Sequence, residues 1–133
     1  MQFRAGSTLP VFEDCTVNGT RIALTLDTGS SLGLILFPQA VRSLGLEDLA
    51  RQGISLQAAG YRGLARLSKG WVRSLVLKSI DLGAVEVAYV EKGYGESESL
   101  ERRGGNLGNA VLQDFLLTLD YRNRVVVLES PEQ

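Results

Sequence analysis

Residues 21–31 read Arg21-Ile22-Ala23-Leu24-Thr25-Leu26-Asp27-Thr28-Gly29-Ser30-Ser31, an alternating apolar run that ends in a carboxylate, a hydroxyl and a glycine. Successive side chains of a strand point to opposite faces, so the isoleucine and the two leucines share one face and Asp27 lies on the other. Gly29 tolerates positive φ and lets another backbone come close. Ser30 places a hydroxyl within reach of the carboxylate. The stretch therefore predicts a strand that leads an acid into a tight turn.

A second informative block covers residues 105–121 and reads Gly105-Asn106-Leu107-Gly108-Asn109-Ala110-Val111-Leu112-Gln113-Asp114-Phe115-Leu116-Leu117-Thr118-Leu119-Asp120-Tyr121. Apolar residues recur at helical spacing from Val111 to Phe115, and an apolar strand ending in Asp-Tyr follows. A nucleotide-binding loop at residues 104–108 is excluded, because no parallel strand-helix-strand context surrounds these glycines. The block predicts a glycine loop, a short helix and a strand.

Together the two blocks resemble the retropepsin and pepsin clan of aspartic proteases. Asp27-Thr28-Gly29-Ser30-Ser31 after an apolar strand is similar to the active-site signature of that clan, and residues 105–121 are similar to the C-terminal half of its single-lobe bacterial and retroviral-like members. Asn106 departs from the two apolar residues that the family usually shows before the glycine, although bacterial relatives carry a similar variant. The resemblance implies an all-β, single-lobe retropepsin-like (acid protease) β-barrel with one or two short helices.

Composition is typical of one ordinary globular domain spanning residues 1–133, either complete or excised from a longer protein. The chain has 14 basic and 15 acidic residues, which gives no electrostatic footprint for nucleic acid or an anionic membrane surface. No stretch approaches the roughly 20 apolar residues of a membrane helix. We therefore expect a soluble domain without a membrane segment or a nucleic-acid partner. Its compartment, cytoplasmic or that of an exported protein, stays open.

Periodicity and turn residues predict mainly short strands. The predicted elements are a strand over Leu9–Val17, an Asn18-Gly19 turn, a strand over Arg21–Leu26, a helix that begins at Pro38 and ends at Gly45, a hairpin within Ile54–Leu67, strands over Trp71–Ile80 and Ala84–Val90 separated by Asp81-Leu82-Gly83, an exposed loop over Glu91–Arg103, and a last hairpin of Leu116–Asp120 and Val125–Leu128. Cys15 lies in an apolar setting, which favours a core residue over a reactive thiol.

The absence of histidine restricts the chemistry that this chain can perform. Ser-His-Asp and Cys-His arrangements and nearly all zinc sites are excluded, since the sequence has no histidine and one cysteine. Peptide hydrolysis would then need one carboxylate to activate water and another group to donate a proton. Two carboxylates at hydrogen-bond distance do both, because they share one proton.

The Asp-Thr-Gly motif occurs once in the chain, at Asp27. The resemblance therefore implies a homodimeric aspartic endopeptidase, in which Asp27 of each protomer meets its partner at a twofold axis and water lies between them. It implies a peptide or protein substrate, no cofactor and no metal. Thr28 would donate its hydroxyl to the backbone of the opposite motif, Gly29 would permit that approach, and Ser30 would bond the outer carboxylate oxygen.

Two further sites follow from the resemblance. Leu107 and Gly108 would form the psi-loop. The tip Gly60-Tyr61-Arg62-Gly63 would correspond to the flap, which folds over a peptide bound as an added strand. A surface hairpin without a functional role is the alternative for this tip.

Alternatives remain for the whole chain as well. The domain could be a catalytically inactive, protease-like module that binds peptide or dimerises, or a domain that is active only within a longer chain. Asp27 could be an ordinary turn aspartate, for which Asp, Thr, Gly and Ser are all favoured residues. Asp120 is a second carboxylate to weigh, but it ends a strand before a charged hairpin, which favours a turn role.

Overall fold

The computed structural model describes residues 10–28, 30–60, 63–90 and 104–129. The strands in these ranges are β1 (Val11–Val17), β2 (Thr20–Leu26), β3 (Leu34–Leu36), β4 (Ile54–Gly60), β5 (Gly63–Val72), β6 (Leu75–Leu77), β7 (Ile80–Asp81), β8 (Val85–Val90), β9 (Gly105–Leu107), β10 (Leu116–Asp120) and β11 (Val125–Glu129). The helices are α1 (Pro38–Ser43), α2 (Glu47–Gln52) and α3 (Asn109–Leu112). The prediction of an all-β fold with short helices is confirmed.

Nine strands form one sheet in the order β4-β5-β8-β3-β9-β2-β1-β6-β7, and this sheet curls into a half-barrel. Strand β9 lies between β2, to which it is parallel, and β3, to which it is antiparallel. Strands β10 and β11 pair with each other as a separate ribbon. Because β9 separates β2 from β3, the C-terminal block of the sequence is inserted at the point where the Asp27 turn connects those two strands.

The core is built from large apolar residues. Alternation along β2 buries its leucines as predicted: Leu24 is fully buried and Leu26 nearly so. The other fully or nearly buried large side chains include Phe12, Leu34, Leu36, Phe37, Leu75, Leu77, Tyr89 and Leu107. Burial of such side chains contributes about 1.5–3 kcal/mol each, so this cluster is the main source of stability.

The predicted turn at Asn18-Gly19 joins β1 to β2, with φ of 50° and 83° at the two residues. Positive φ at both central residues fits the turn that suits the twist of a two-residue hairpin. The Asn18 side chain also accepts hydrogen bonds from the backbone N–H groups of Arg73 and Ser74, at 2.9 and 3.1 Å. The turn thus anchors a second, distant segment of the chain.

The expectation of one strand over Trp71–Ile80 is wrong. Strand β5 ends at Val72, and the chain forms a separate small hairpin, β6–β7, across a turn in which Lys78 has φ of 56°. The Asn18 side chain binds the amides that would continue β5, which ends the strand there. Apolar residues run through all of these elements, so alternation alone does not reveal the break.

Helix α1 begins at Pro38 as predicted, and Gly45 follows its end with φ of 69°. Helix α2 was not expected, and the described residues contain three helices where one or two were expected. The reason is that α2 buries none of its residues, so it leaves no apolar stripe in the sequence. None of the helices in the described ranges is long and apolar enough to span a membrane.

The last hairpin is confirmed, with β10 pairing to β11 from Leu116 to Glu129. Some expectations lie outside the described residues: the start of the first strand at Leu9, the positions of Gly29, Tyr61 and Arg62, and the loop over Glu91–Arg103.

Candidate active site

Asp27 is the first residue after β2 and is half-buried. Its backbone N–H donates to the Leu107 carbonyl of β9 at 2.8 Å, and its own carbonyl accepts from the Ser30 N–H at 3.2 Å. The first bond extends the β2–β9 ladder by one residue, and the second closes a turn. Asp27 is therefore held at the junction of a strand and a turn, as the sequence predicted.

The rest of the motif lies in that turn. The Ser30 Oγ accepts a hydrogen bond from the Leu32 N–H at 3.2 Å, so the hydroxyl helps to close the turn. Thr28 is exposed. A hydroxyl on the surface is available to a second copy of the chain, but its predicted role across a twofold axis stays a prediction. Gly29 lies outside the described residues.

The segment after β9 holds this turn from the other side. The Gly108 N–H donates to the Gly33 carbonyl at 2.8 Å, and the Ala110 N–H donates to the Leu32 carbonyl at 3.2 Å. Asn109 makes two bonds: its backbone N–H donates to the Ser30 carbonyl at 2.9 Å, and its side-chain Nδ2 donates to the Thr28 carbonyl. The two sequence blocks that carried the resemblance thus meet through a continuous hydrogen-bond network.

Close packing explains the glycine at position 108. A Cβ there would lie 2.1 Å from the Leu32 carbonyl oxygen and 3.0 Å from the Ser30 Oγ. Contacts this short with backbone are not sustained, so any larger residue would push the second block away from the turn. Leu107, beside it, is fully buried.

Asn109 lies within the second block, but the sequence alone assigned it no role. Its side-chain bond reaches a carbonyl 81 residues earlier in the chain, and no local pattern predicts such a contact. The family resemblance assigned functional roles to the residues before helix α3 and none to Asn109, the first residue of that helix.

The β4–β5 hairpin exists as predicted, and its strands stay paired out to Gly60 and Gly63. Tyr61 and Arg62 at the tip lie outside the described residues. The role of this hairpin as a flap stays a prediction.

Two other candidate groups lie apart from this chemistry. Burial, with a smaller effect of the neighbouring Asp14 carboxylate, raises the pKa of Cys15 to about 12, so the thiol stays neutral and is not a nucleophile at ordinary pH. Asp120 caps the β10–β11 turn: its carboxylate accepts from the Asn123 Nδ2 at 2.7 Å and N–H at 3.1 Å. These bonds lower the pKa of Asp120 and assign its side chain to the turn.

Residues 13–121 match the model of a protein family described as aspartyl protease. The chain belongs to the aspartyl protease family. No curated protein matches the chain at a significant level. The match extends from β1 to the end of β10, so it includes both the Asp27 turn and the segment that holds it.

Solved structures extend the family assignment to the fold. The chain is similar to a retropepsin-like aspartic protease from Rickettsia conorii, with a TM-score of 0.71 and 16% identity over 95% of each chain. It is also similar to EIAV protease complexed with the inhibitor HBY-793, with a TM-score of 0.50 and 16% identity over 84% of this chain and 91% of that one. The prediction of a retropepsin-like fold is confirmed.

Proposed function

We propose that this aspartyl protease is an endopeptidase that hydrolyses peptide bonds with a pair of Asp27 carboxylates, one from each protomer of a homodimer. The observation that carries the proposal is the position of Asp27, at the end of β2 and tied through its backbone to Leu107 in β9. A carboxylate that must meet its symmetry mate needs a fixed backbone, and the network from residues 107–110 supplies one.

The proposed reaction uses one shared proton. The oxygen of the water attacks the carbonyl carbon of the substrate, and the ionised Asp27 accepts a proton from that water. The protonated Asp27 of the partner subunit donates its proton to the carbonyl oxygen of the substrate. The tetrahedral intermediate then collapses: the amide nitrogen takes the proton that the first Asp27 received from water, one hydroxyl of the intermediate returns its proton to the Asp27 of the partner subunit, and the carbon–nitrogen bond breaks. Because one carboxyl must be protonated and the other ionised, activity should peak at acidic to mildly acidic pH.

The proposed homodimer is supported by the surface of the β10–β11 ribbon. Leu116 and Val127 lie on the same face of this ribbon and are 59% and 39% exposed. A two-stranded ribbon is only marginally stable by itself, and an apolar face exposed to water adds to its cost. A second copy that covers this face would remove both disadvantages.

The proposed substrate is an extended peptide or protein segment. A peptide in extended form adds to a sheet through main-chain hydrogen bonds, and the paired strands β4 and β5 would form the flap above it. Closure of such a hairpin would exclude water from the carboxylate pair and leave only the attacking molecule.

The experiment that tests this proposal compares wild type with a Leu116→Lys/Val127→Lys variant by sedimentation and by cleavage of a mixed peptide library. We expect a wild-type dimer that cleaves and a variant that is folded, monomeric and inactive. Thr20→Lys, at an exposed polar position of β2 and outside the ribbon, is the control. A wild-type dimer that binds library peptides without cleaving them would replace the proposal with the inactive binding module.

A further inference from the structure

We infer that Asn109 is a positioning residue for the Asp27 turn, holding it closed from outside the motif. The effect of Asn109 on catalysis rests on the proposed function. The closure of the turn does not, and it can be measured without any assay of activity.

The geometry is a two-point contact. The backbone N–H of Asn109 donates to the Ser30 carbonyl at 2.9 Å, and its side-chain amide donates to the Thr28 carbonyl. Thr28 and Ser30 come before and after position 29 in the sequence, so one residue holds the turn on both sides of that position. A side chain without a donor, such as alanine, keeps only the first bond.

Two further hydrogen bonds lie within the described part of the turn. Within it, the Ser30 N–H donates to the Asp27 carbonyl at 3.2 Å and the Leu32 N–H donates to the Ser30 Oγ at 3.2 Å. Both bonds lie at the long end of the ordinary range. The side-chain bond of Asn109 acts directly on the carbonyl of Thr28, the residue next to Asp27.

Asn109 is well suited to this role because it is itself fixed. It is the first residue of α3, and its carbonyl accepts from the Gln113 N–H at 2.8 Å. Its side chain is exposed, so its replacement leaves no cavity in the core. The effect of a substitution should therefore be local.

The first test is amide hydrogen exchange in wild type, Asn109→Ala and Asn109→Asp, read at three amides. The N–H groups of Ser30 and Leu32 report turn closure, and that of Leu24 in β2 reports global opening. We expect exchange at Ser30 and Leu32 to be about five- to tenfold faster in both variants, with Leu24 unchanged. Aspartate has the same shape as asparagine but no N–H to donate, so the two variants should agree in direction.

The matched control is Gln113→Ala, which changes an exposed polar side chain one turn later in the chain. It should alter none of the three amides. Equal exchange at Ser30 and Leu32 in wild type and Asn109→Ala would overturn the inference, and so would an increase that appears equally at Leu24, because that result would indicate general destabilisation.

The second test is kinetic. With an Asp27 pair that must be well aligned, Asn109→Ala should lower kcat about tenfold and change KM less than twofold, since the substrate-binding strands are untouched. Asn109→Gln, which keeps the amide, should recover part of the loss. A wild type that cleaves nothing would contradict the proposed function but leave the exchange result to decide the role of Asn109. Unchanged kcat together with unchanged exchange would refute the positioning role.

Discussion

The most demanding position in the sheet is Gly105, where β9 passes between β2 and β3. A Cβ built on Gly105 would lie 1.7 Å from the carbonyl oxygen of Ile35 and 3.1 Å from the Cα of Leu36. Both are backbone atoms of β3, so no side-chain rotation relieves the contact. We predict that Gly105→Ala forces β9 away from β3.

The expected cost follows from that displacement. Ordinary contact begins near 3.4 Å, so the two strands must move apart by about 1.7 Å, which exceeds what a backbone hydrogen bond tolerates. Overpacking costs about 1–3 kcal/mol, and the loss of about two backbone hydrogen bonds adds about 1 kcal/mol each. The free energy of unfolding should fall by about 3–5 kcal/mol, a large share of the ~5–15 kcal/mol typical of a domain.

The assay is urea unfolding followed by tryptophan fluorescence and circular dichroism, with Gly104→Ala as the matched comparison. A Cβ at Gly104 would meet the Ile22 side chain, at 2.1 Å from Cγ1 and 2.3 Å from Cδ1, and a side chain has more freedom to shift than backbone. We expect Gly104→Ala to cost about 1–2 kcal/mol. If Gly105→Ala cost less than about 1 kcal/mol, or no more than Gly104→Ala, the inserted position of β9 would be wrong.

Three smaller predictions concern residues away from the site. Cys15, fully buried and with its pKa raised to about 12, should resist a thiol reagent at pH 8 in the native protein and react at once in 8 M urea; rapid native labelling would contradict its placement. Because the pKa of Asp120 is lower in the folded protein than its ordinary value near 3.8, the ionised carboxylate stabilises the fold at pH values above 3.8. This stabilisation is lost as the pH falls through the pKa of the folded protein. Asn123→Ala should therefore lower Tm more at pH 7 than at strongly acidic pH, and an equal loss at both would exclude a role for the ionised Asp120 carboxylate. Asn18→Ala should cost about 1–3 kcal/mol in urea unfolding, because two backbone N–H groups lose their acceptor; a neutral result would contradict that anchor.

Much of this fold was predictable because its signals are local. The alternation of β2, the Asn18-Gly19 turn and Pro38 at a helix start each have a direct physical basis in a few adjacent residues, and each is confirmed. The strand break after Val72 was not predictable, since it depends on a side chain more than 50 residues away. Helix α2 was not predicted because none of its residues is buried, so the sequence shows no apolar stripe there.

The candidate site divides in the same way. The motif itself placed Asp27 in a turn after a strand, and the resemblance located the second block that meets it. What sequence did not reveal is how the two blocks connect. The bonds from Asn109 and the close approach at Gly105 arise from the insertion of β9 between β2 and β3, which is a matter of tertiary arrangement and not of spacing.

Asp27 is the residue that we propose as the catalytic carboxylate of a peptidase. The most direct test is cleavage of a mixed peptide library at several pH values by wild type and Asp27→Asn in parallel, with the oligomeric state of each sample recorded. Because asparagine matches aspartate in shape, the fold and the dimer should persist in this variant. Asparagine cannot act as a base, so the variant should lose only the chemistry. We expect cleavage by the wild-type dimer, strongest at acidic to mildly acidic pH, and none by Asp27→Asn. Equal cleavage by both proteins, or none by a well-folded wild-type dimer, would contradict it.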